Sequence, residues 1–205
     1  MPQLTSLEDL KDLRARVVDE AAAKPTIVVC AGTACQASES SRIIRAVKKY
    51  MLMNDLVDRL ALRVTGCHGF CEMGPFILTE PQRAFYTKLE HYHVPRIIDA
   101  FLNGRYVEDL LYKDPVSGEP HFDHDDIPFF RRQQRTLLGQ NQRLDPIRFF
   151  DAVAEGAYVA LERVLAEKSP EWIIDEVKRA GLRGRGGAGD LAGPKWKLAR
   201  AQETT

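Results

Sequence analysis

Two pairs of cysteines, Cys30 with Cys35 and Cys67 with Cys71, constrain this 205-residue chain more than any other feature. They are all the cysteines it has, with four residues inside the first pair and three inside the second. Thr26-Ile27-Val28-Val29 leads into one pair and Leu60-Ala61-Leu62-Arg63-Val64 into the other. Such β-branched, apolar runs predict strands, so both pairs are expected in loops leaving strands. Between them, residues 39–56 carry Ile43, Ile44, Val47, Tyr50 and Met51 at helical spacings. A strand, a helix and a strand joined by a right-handed crossover run their strands parallel, which brings both loops to one edge of the sheet. The four sulfurs are therefore expected to converge.

Converging sulfurs fit a structural zinc, an iron–sulfur cluster, two disulfides, or thiols that never meet. The spacing leaves zinc open, because zinc ligands commonly lie about two to four residues apart. A [2Fe–2S] core is wider, takes two sulfurs on each iron, and suits two separated loops. Gly66, Gly69 and Gly74 let backbone amides approach the sulfurs, and this second-loop composition favours the cluster. His68 is a candidate for tuning a cluster by hydrogen bonding or protonation without being a ligand.

With 29 basic and 29 acidic residues the chain has no net charge, so bulk electrostatics suggest neither nucleic acid nor an anionic membrane surface as a partner. No apolar run approaches the roughly 20 residues that cross a bilayer. Met1-Pro2-Gln3-Leu4 lacks the basic start of a secretory signal, so a cytoplasmic protein without direct membrane insertion is expected. There, four cysteines point to a metal site before a disulfide framework.

Taken in order, Ser6 and Asp9 mark a helix start, with Leu7, Leu10, Leu13 and Val17 on one face as far as about Ala23. After the second cysteine pair, residues 76–79 and 84–89 predict an antiparallel hairpin turned by Glu80-Pro81-Gln82-Arg83. Residues 94–102 predict a helix stopped at Asn103-Gly104. His91 and His93 read as surface residues, and His121, Asp123, His124, Asp125 and Asp126 as an exposed connector. Residues 113–142 read as a linker with a basic run at 131–135 and one short element, Arg135-Thr136-Leu137-Leu138. Asp145-Pro146 is expected to cap and open the first of three short helices, the second carrying Tyr158, Leu161, Val164 and Leu165. Ser169-Pro170 opens the third and Gly181 closes it. Five glycines then fall within residues 181–189, interleaved with Arg183 and Arg185 and followed by Lys195-Trp196, a composition suited to cradling phosphate.

Cys30-Ala31-Gly32-Thr33-Ala34-Cys35, with Gly66-Cys67-His68-Gly69-Phe70-Cys71-Glu72-Met73-Gly74-Pro75, resembles the thioredoxin-like [2Fe–2S] ferredoxin family from about Pro25 to Tyr112. That family supplies electron-transfer modules to complex I and to NAD-linked hydrogenases and formate dehydrogenases. The resemblance implies an α/β, thioredoxin-like domain in which Cys30, Cys35, Cys67 and Cys71 hold a [2Fe–2S] cluster. The stretch from Asp145 to Trp196 resembles the start of the NADH-binding flavoprotein subunit of complex I and of its hydrogenase relatives. By that resemblance Gly184, Arg185, Gly186, Gly187, Ala188 and Gly189 would contact flavin mononucleotide (FMN) and NADH, and Lys195 the flavin phosphate. Two departures stand out: Asp190-Leu191-Ala192 replaces an aromatic residue followed by proline, and the family continues well past the position of Thr205.

The expected organisation is a leading helix (1–24), the [2Fe–2S] domain (25–112), a linker (113–142) and a small helical segment with the glycine-rich loop (143–205), the partial start of a flavoprotein domain. Whether as a fragment or a natural stub, such a chain implies an electron-transfer subunit of a multi-subunit NAD-linked redox complex. It would not be catalytic alone, and FMN and NADH would bind only with the rest of a flavin domain supplied. The alternatives are an FMN- and NADH-binding NADH dehydrogenase subunit in its own right, or a non-redox assembly subunit.

Overall fold

The computed structural model describes residues 4–22 and 24–202; Ala23, where the leading helix was expected to end, lies outside them. They divide into two compact units, one from Arg14 to Glu155, the other combining residues up to Leu13 with those from Gly156 onward. Helix α1 (Leu7–Ala22) starts where the sequence places it. Asp9 Oδ2 accepts from the Thr5 and Ser6 amides while the Asp9 amide donates to Ser6 Oγ, a reciprocal cap that also holds the Asp9 carboxyl below the usual range. Leu10, Leu13 and Val17 form its buried stripe.

The larger unit is built on a four-stranded sheet in the order β2-β1-β3-β4, with β1 at Thr26–Cys30, β2 at Ala61–Thr65, β3 at Ile77–Glu80 and β4 at Phe85–Tyr86. Strands β1 and β2 run parallel, with Thr26 opposite Ala61 and Cys30 opposite Thr65. Strands β1 and β3 run antiparallel, as do β3 and β4, the latter pair as the expected hairpin. Helices α2 (Thr33–Ala37) and α3 (Ser40–Met53) form the crossover, and α4 (Val94–Leu102) covers the residues expected of it.

Strand β1 is buried on both sides, and its alternation sorts the core in two. Ile27 and Val29 face a cluster with Ile43 and Val47 of α3 and Ile97 and Ile98 of α4. Val28 and Cys30 face the other, with Phe70, Phe76, Leu78, Phe85, Tyr112 and Ile127. Both cysteine loops leave from the edge of this second face.

What covers that face departs from the sequence reading. Residues 121–130 do not run as an exposed connector; the short helix α5 (Pro128–Arg131) and the turn before it pack into the second cluster. Ile127 is 0% exposed, Phe130 stands edge-on to Phe85 at 5.6 Å between ring centres, and His124 lies 4.0 Å from the Phe130 ring. His124 Nδ1 lies 3.0 Å from Arg83 and from Asp125, and burial lowers its pKa. Proline at 128 pre-sets the first turn, and the two phenylalanines after it supply apolar area that a polar average over thirty residues conceals. Arg135-Thr136-Leu137-Leu138 forms neither helix nor strand, and Leu137 is 90% exposed. His91 and His93 sit in a 3-10 turn, where His93 Nδ1 accepts from the Glu90 amide.

Asp145 caps a turn through the Ile147 amide, but no helix begins there: α6 is Phe149–Ala154 with Arg148 at its N-cap. Helices α7 (Val159–Glu167) and α8 (Pro170–Arg179) follow in the second unit, α8 capped by Ser169 Oγ as expected, and α9 is Ala192–Arg200. A side chain on Gly193 would come within 2.8 Å of Lys178 Cα, which is why α8 and α9 approach so closely. No helix among the described residues is long and apolar enough to cross a membrane.

If residues 121–130 belong to the domain, Ile127→Ala leaves a void in a filled core and lowers unfolding free energy by about 2–5 kcal/mol. Urea denaturation checks this; a loss below about 0.5 kcal/mol, the range of surface changes, means the segment is a tether.

Candidate metal centre

Parallel pairing of β1 with β2 decides where the cysteines meet. Cys30 is the last residue of β1, its partner Thr65 is the last of β2, and Cys67 follows two residues later. Cys35 lies in α2 and Cys71 opens a 3-10 turn, so only part of the expected loop placement holds. The loops interlock through glycines. A Cβ on Gly32 would lie 3.0 Å from Cys67 Cβ and 3.5 Å from Cys30 Sγ; one on Gly74 would lie 2.9 Å from Cys35 Sγ and 3.3 Å from the Cys71 carbonyl. A side chain at Gly32 would crowd Cys67, and one at Gly74 would displace the Cys35 sulfur.

The four thiols fall into an inner and an outer pair. Cys30 and Cys35 are 1% and 2% exposed, Cys67 is half-buried, and Cys71 is exposed. Cys67 Sγ lies 3.8 Å from Cys71 Sγ, far beyond the roughly 2.0 Å of a disulfide. Two thiolates about 2.3 Å from one tetrahedral metal sit about 3.8 Å apart, so the outer pair already has the spacing of ligands to a shared ion. Among the described residues no three His, Cys, Asp or Glu side chains gather for a single ion.

Backbone amides serve the sulfurs, Gly32 N–H donating to Cys30 Sγ at 3.4 Å and Gly69 N–H to Cys67 Sγ at 3.2 Å. The Cys35 thiol hydrogen-bonds to Cys30, which brings Cys30 down to about 6. Donating that bond, burial and the neighbouring sulfur charges push Cys35 up, and the bond with Cys67 pushes Cys71 up. The bare thiols therefore resist becoming four thiolates together, and a cationic core is what deprotonates such a set.

His68 points inward. It is 0% exposed, its Nε2 lies 2.7 Å from Thr65 Oγ1, and its ring stands edge-on to Phe76. Burial, then the charges of His124, Arg135 and Arg83, bring it down to about 3. Burial thus disfavours its protonated form, and its contact with Thr65 pins the loop.

Phe70, inside the second loop, anchors it to the segment read as a linker: its ring stacks on Phe129 at 4.1 Å and meets Phe130 edge-on at 5.4 Å. Arg135 lies over Gly69, whose φ of +82° suits glycine. Sequence reading missed both anchors; the signal was Pro128-Phe129-Phe130, a proline-led helix start with two aromatics.

The glycine-rich residues lie in the second unit, away from these cysteines in sequence and on a loop of their own. Gly184 N–H donates to the Asp190 carbonyl and Ala192 N–H to the Leu182 carbonyl, closing residues 182–192 into a hairpin-like loop. Gly184, Arg185, Gly186, Gly187 and Ala188 are exposed, Gly189 is half-buried, and exposed Lys195 lies in the first turns of α9. Arg183 donates to the Gly189 carbonyl and Arg185 to the Gly184 carbonyl, so both arginines are turned onto the loop's own backbone.

Gly74→Ala should separate Cys35 from the other sulfurs by more than the roughly 0.5 Å that a preorganised site tolerates. At least a threefold loss of bound iron is expected by metal analysis, against no loss for Gly186→Ala, whose added Cβ meets open space.

Comparison with known proteins finds similarity in parts of the chain. An NADH-quinone oxidoreductase subunit of Rickettsia bellii, the one designated F, is 62% identical over 36 residues, 18% of this chain and 9% of that protein. NADP-reducing hydrogenase subunit HndC of Solidesulfovibrio fructosivorans is 46% identical over 69 residues, 34% of this chain and 14% of that protein. Both matches thus span only a small part of the relatives' own length. A thioredoxin-like [2Fe–2S] ferredoxin from Aquifex aeolicus superposes with a TM-score of 0.40 at 23% identity, covering 42% of this chain and 88% of its own. The family model for the thioredoxin-like [2Fe–2S] ferredoxin matches residues 17–102. All four cysteines fall inside that match, and on it we identify residues 17–102 of this chain as a thioredoxin-like [2Fe–2S] ferredoxin domain, whose cofactor is a [2Fe–2S] cluster.

Proposed function

We propose that Cys30, Cys35, Cys67 and Cys71 are the cluster's ligands, and that the chain carries electrons between flavin and other iron–sulfur centres of a multi-subunit, NAD-linked oxidoreductase in the cytoplasm. The observation that carries this reading is the arrangement of four sulfurs as an inner and an outer pair at one sheet edge, the outer pair 3.8 Å apart. The names of the relatives, a quinone oxidoreductase using NADH and a hydrogenase reducing NADP, support the NAD-linked setting. When bound, the cluster supplies a one-electron couple whose potential follows its charge, hydrogen bonds and exposure.

The residues divide the remaining work. Buried Cys30 and Cys35 fix the cluster to the sheet, while half-buried Cys67 and exposed Cys71 form the side on which a partner can approach. The Gly32 and Gly69 amides stabilise charge on two sulfurs. Neutral His68 and the Phe70 stack keep the second loop from opening. In this reading the domain spans residues 25–112 with the following segment laid over one face. The loop from Gly184 to Gly189 and Lys195 would meet FMN and NADH where the rest of a flavin domain is present.

Anaerobically purified protein is expected to contain about two irons and two acid-labile sulfides per chain and to give an EPR signal on one-electron reduction. Cys67→Ala should lose the cluster. Colourless wild-type protein with stoichiometric zinc overturns the proposal. Titration with FMN tests the enzymatic alternative: saturable fluorescence quenching at micromolar flavin would show that this chain binds it unaided.

A further inference from the structure

The basic run at 131–135 contributes one cation that does not behave as a solvated surface charge. Arg135 comes from beyond the family match yet returns to the second cysteine loop. A Cβ on Gly69 would lie 3.3 Å from Arg135 Nη2 and 3.7 Å from Nη1, so the guanidinium covers that glycine, whose amide donates to Cys67 Sγ. Nη2 is buried and has no hydrogen-bond partner among the described residues. The guanidinium carbon lies 5.5 Å from the centre of the Phe130 ring, and Phe130 is itself fixed against Phe70, Phe85 and His124. A cation held by an aromatic face, with one nitrogen removed from water, is screened less than a fully solvated charge.

We propose that Arg135 is a positioning charge that raises the reduction potential of the cluster bound by the four cysteines. This rests on the cluster reading above. One electron, supplied by a reduced flavin or another iron–sulfur centre of the partner complex, adds one negative charge to the site, with no bond made or broken. A fixed positive charge beside the Cys67 loop favours that added charge, so reduction becomes easier. Arg131, exposed at the end of α5, carries the same charge without the same contact.

The test is a potentiometric titration of the intact chain, followed by EPR, with iron and sulfide measured on every sample. Arg135→Gln is expected to lower the reduced-to-oxidised ratio at a fixed potential about three- to tenfold, where tenfold corresponds to about 59 mV for one electron. Arg135→Lys should recover most of the shift, and Arg131→Gln, which makes the same change in net charge, should stay within twofold of wild type. Should Arg135→Gln lose its iron, Arg135→Met, which keeps the stem against Phe130, is read in its place. A cluster-loaded variant with an unchanged potential overturns the inference, as does an equal shift in Arg131→Gln or Arg135→Lys. Wild-type protein without iron and sulfide overturns instead the reading on which it rests.

Discussion

Parallel pairing between β1 and β2 is the constraint on which the rest of the molecule depends. It ends both strands at the same level, Cys30 opposite Thr65, and so delivers the two cysteine segments to one rim. Because successive residues of β1 alternate between faces, Cys30 belongs to the aromatic face and not to the face covered by α3 and α4. A one-residue slip in register would turn every side chain of β1 to the opposite face and carry Cys30 away from Cys67. The buried Ile27, Val28 and Val29, each 0% exposed, make such a slip costly, so the cysteine site inherits its precision from the core.

The electrostatics of the site follow from that placement. Hydrogen bonds between neighbouring sulfurs, then burial and mutual repulsion, push Cys35 and Cys71 up, while the hydrogen bond from Cys35 and the Gly32 amide favour charge on Cys30. Metal binding to thiols requires their deprotonation, which a cationic core favours. Gly32 and Gly74 matter for a steric reason: a methyl group would crowd the Cys67 Cα and Cβ at the first and the Cys35 sulfur at the second. Gly69 serves a different end, adopting a positive φ that leaves its surface open to the Arg135 guanidinium.

Segments beyond the family match complete the second face. Ile127, Phe129 and Phe130 bring apolar area to Phe70 and Phe85, and the same segment carries Arg135 to the loop. The ferredoxin domain therefore has its cysteine loop buttressed by chain that its sequence signature does not include. The second unit is organised separately, by the close approach of α8 and α9 at Gly193 and by a glycine loop whose backbone bonds close on themselves.

Local sequence was sufficient for the elements whose signals are local. The β-branched run before Cys30, the 3.6-residue period of α3, the Asn103-Gly104 stop and the Ser6–Asp9 cap each depend on a few neighbouring residues, and each appears where those residues direct. The cysteine spacing by itself left zinc open, and the residues around the cysteines carried the resemblance that implies the cofactor. What only the tertiary structure decided concerns residues whose partners are distant in the chain. His68 is buried against Phe76 and bonded to Thr65; residues 121–130 read as polar, though Ile127 and Phe130 fill a face left bare by three strands; Arg135 reads as solvated, yet lies on Gly69. Helix and turn signals are written in adjacent residues, whereas burial and electric field depend on everything that folding brings near.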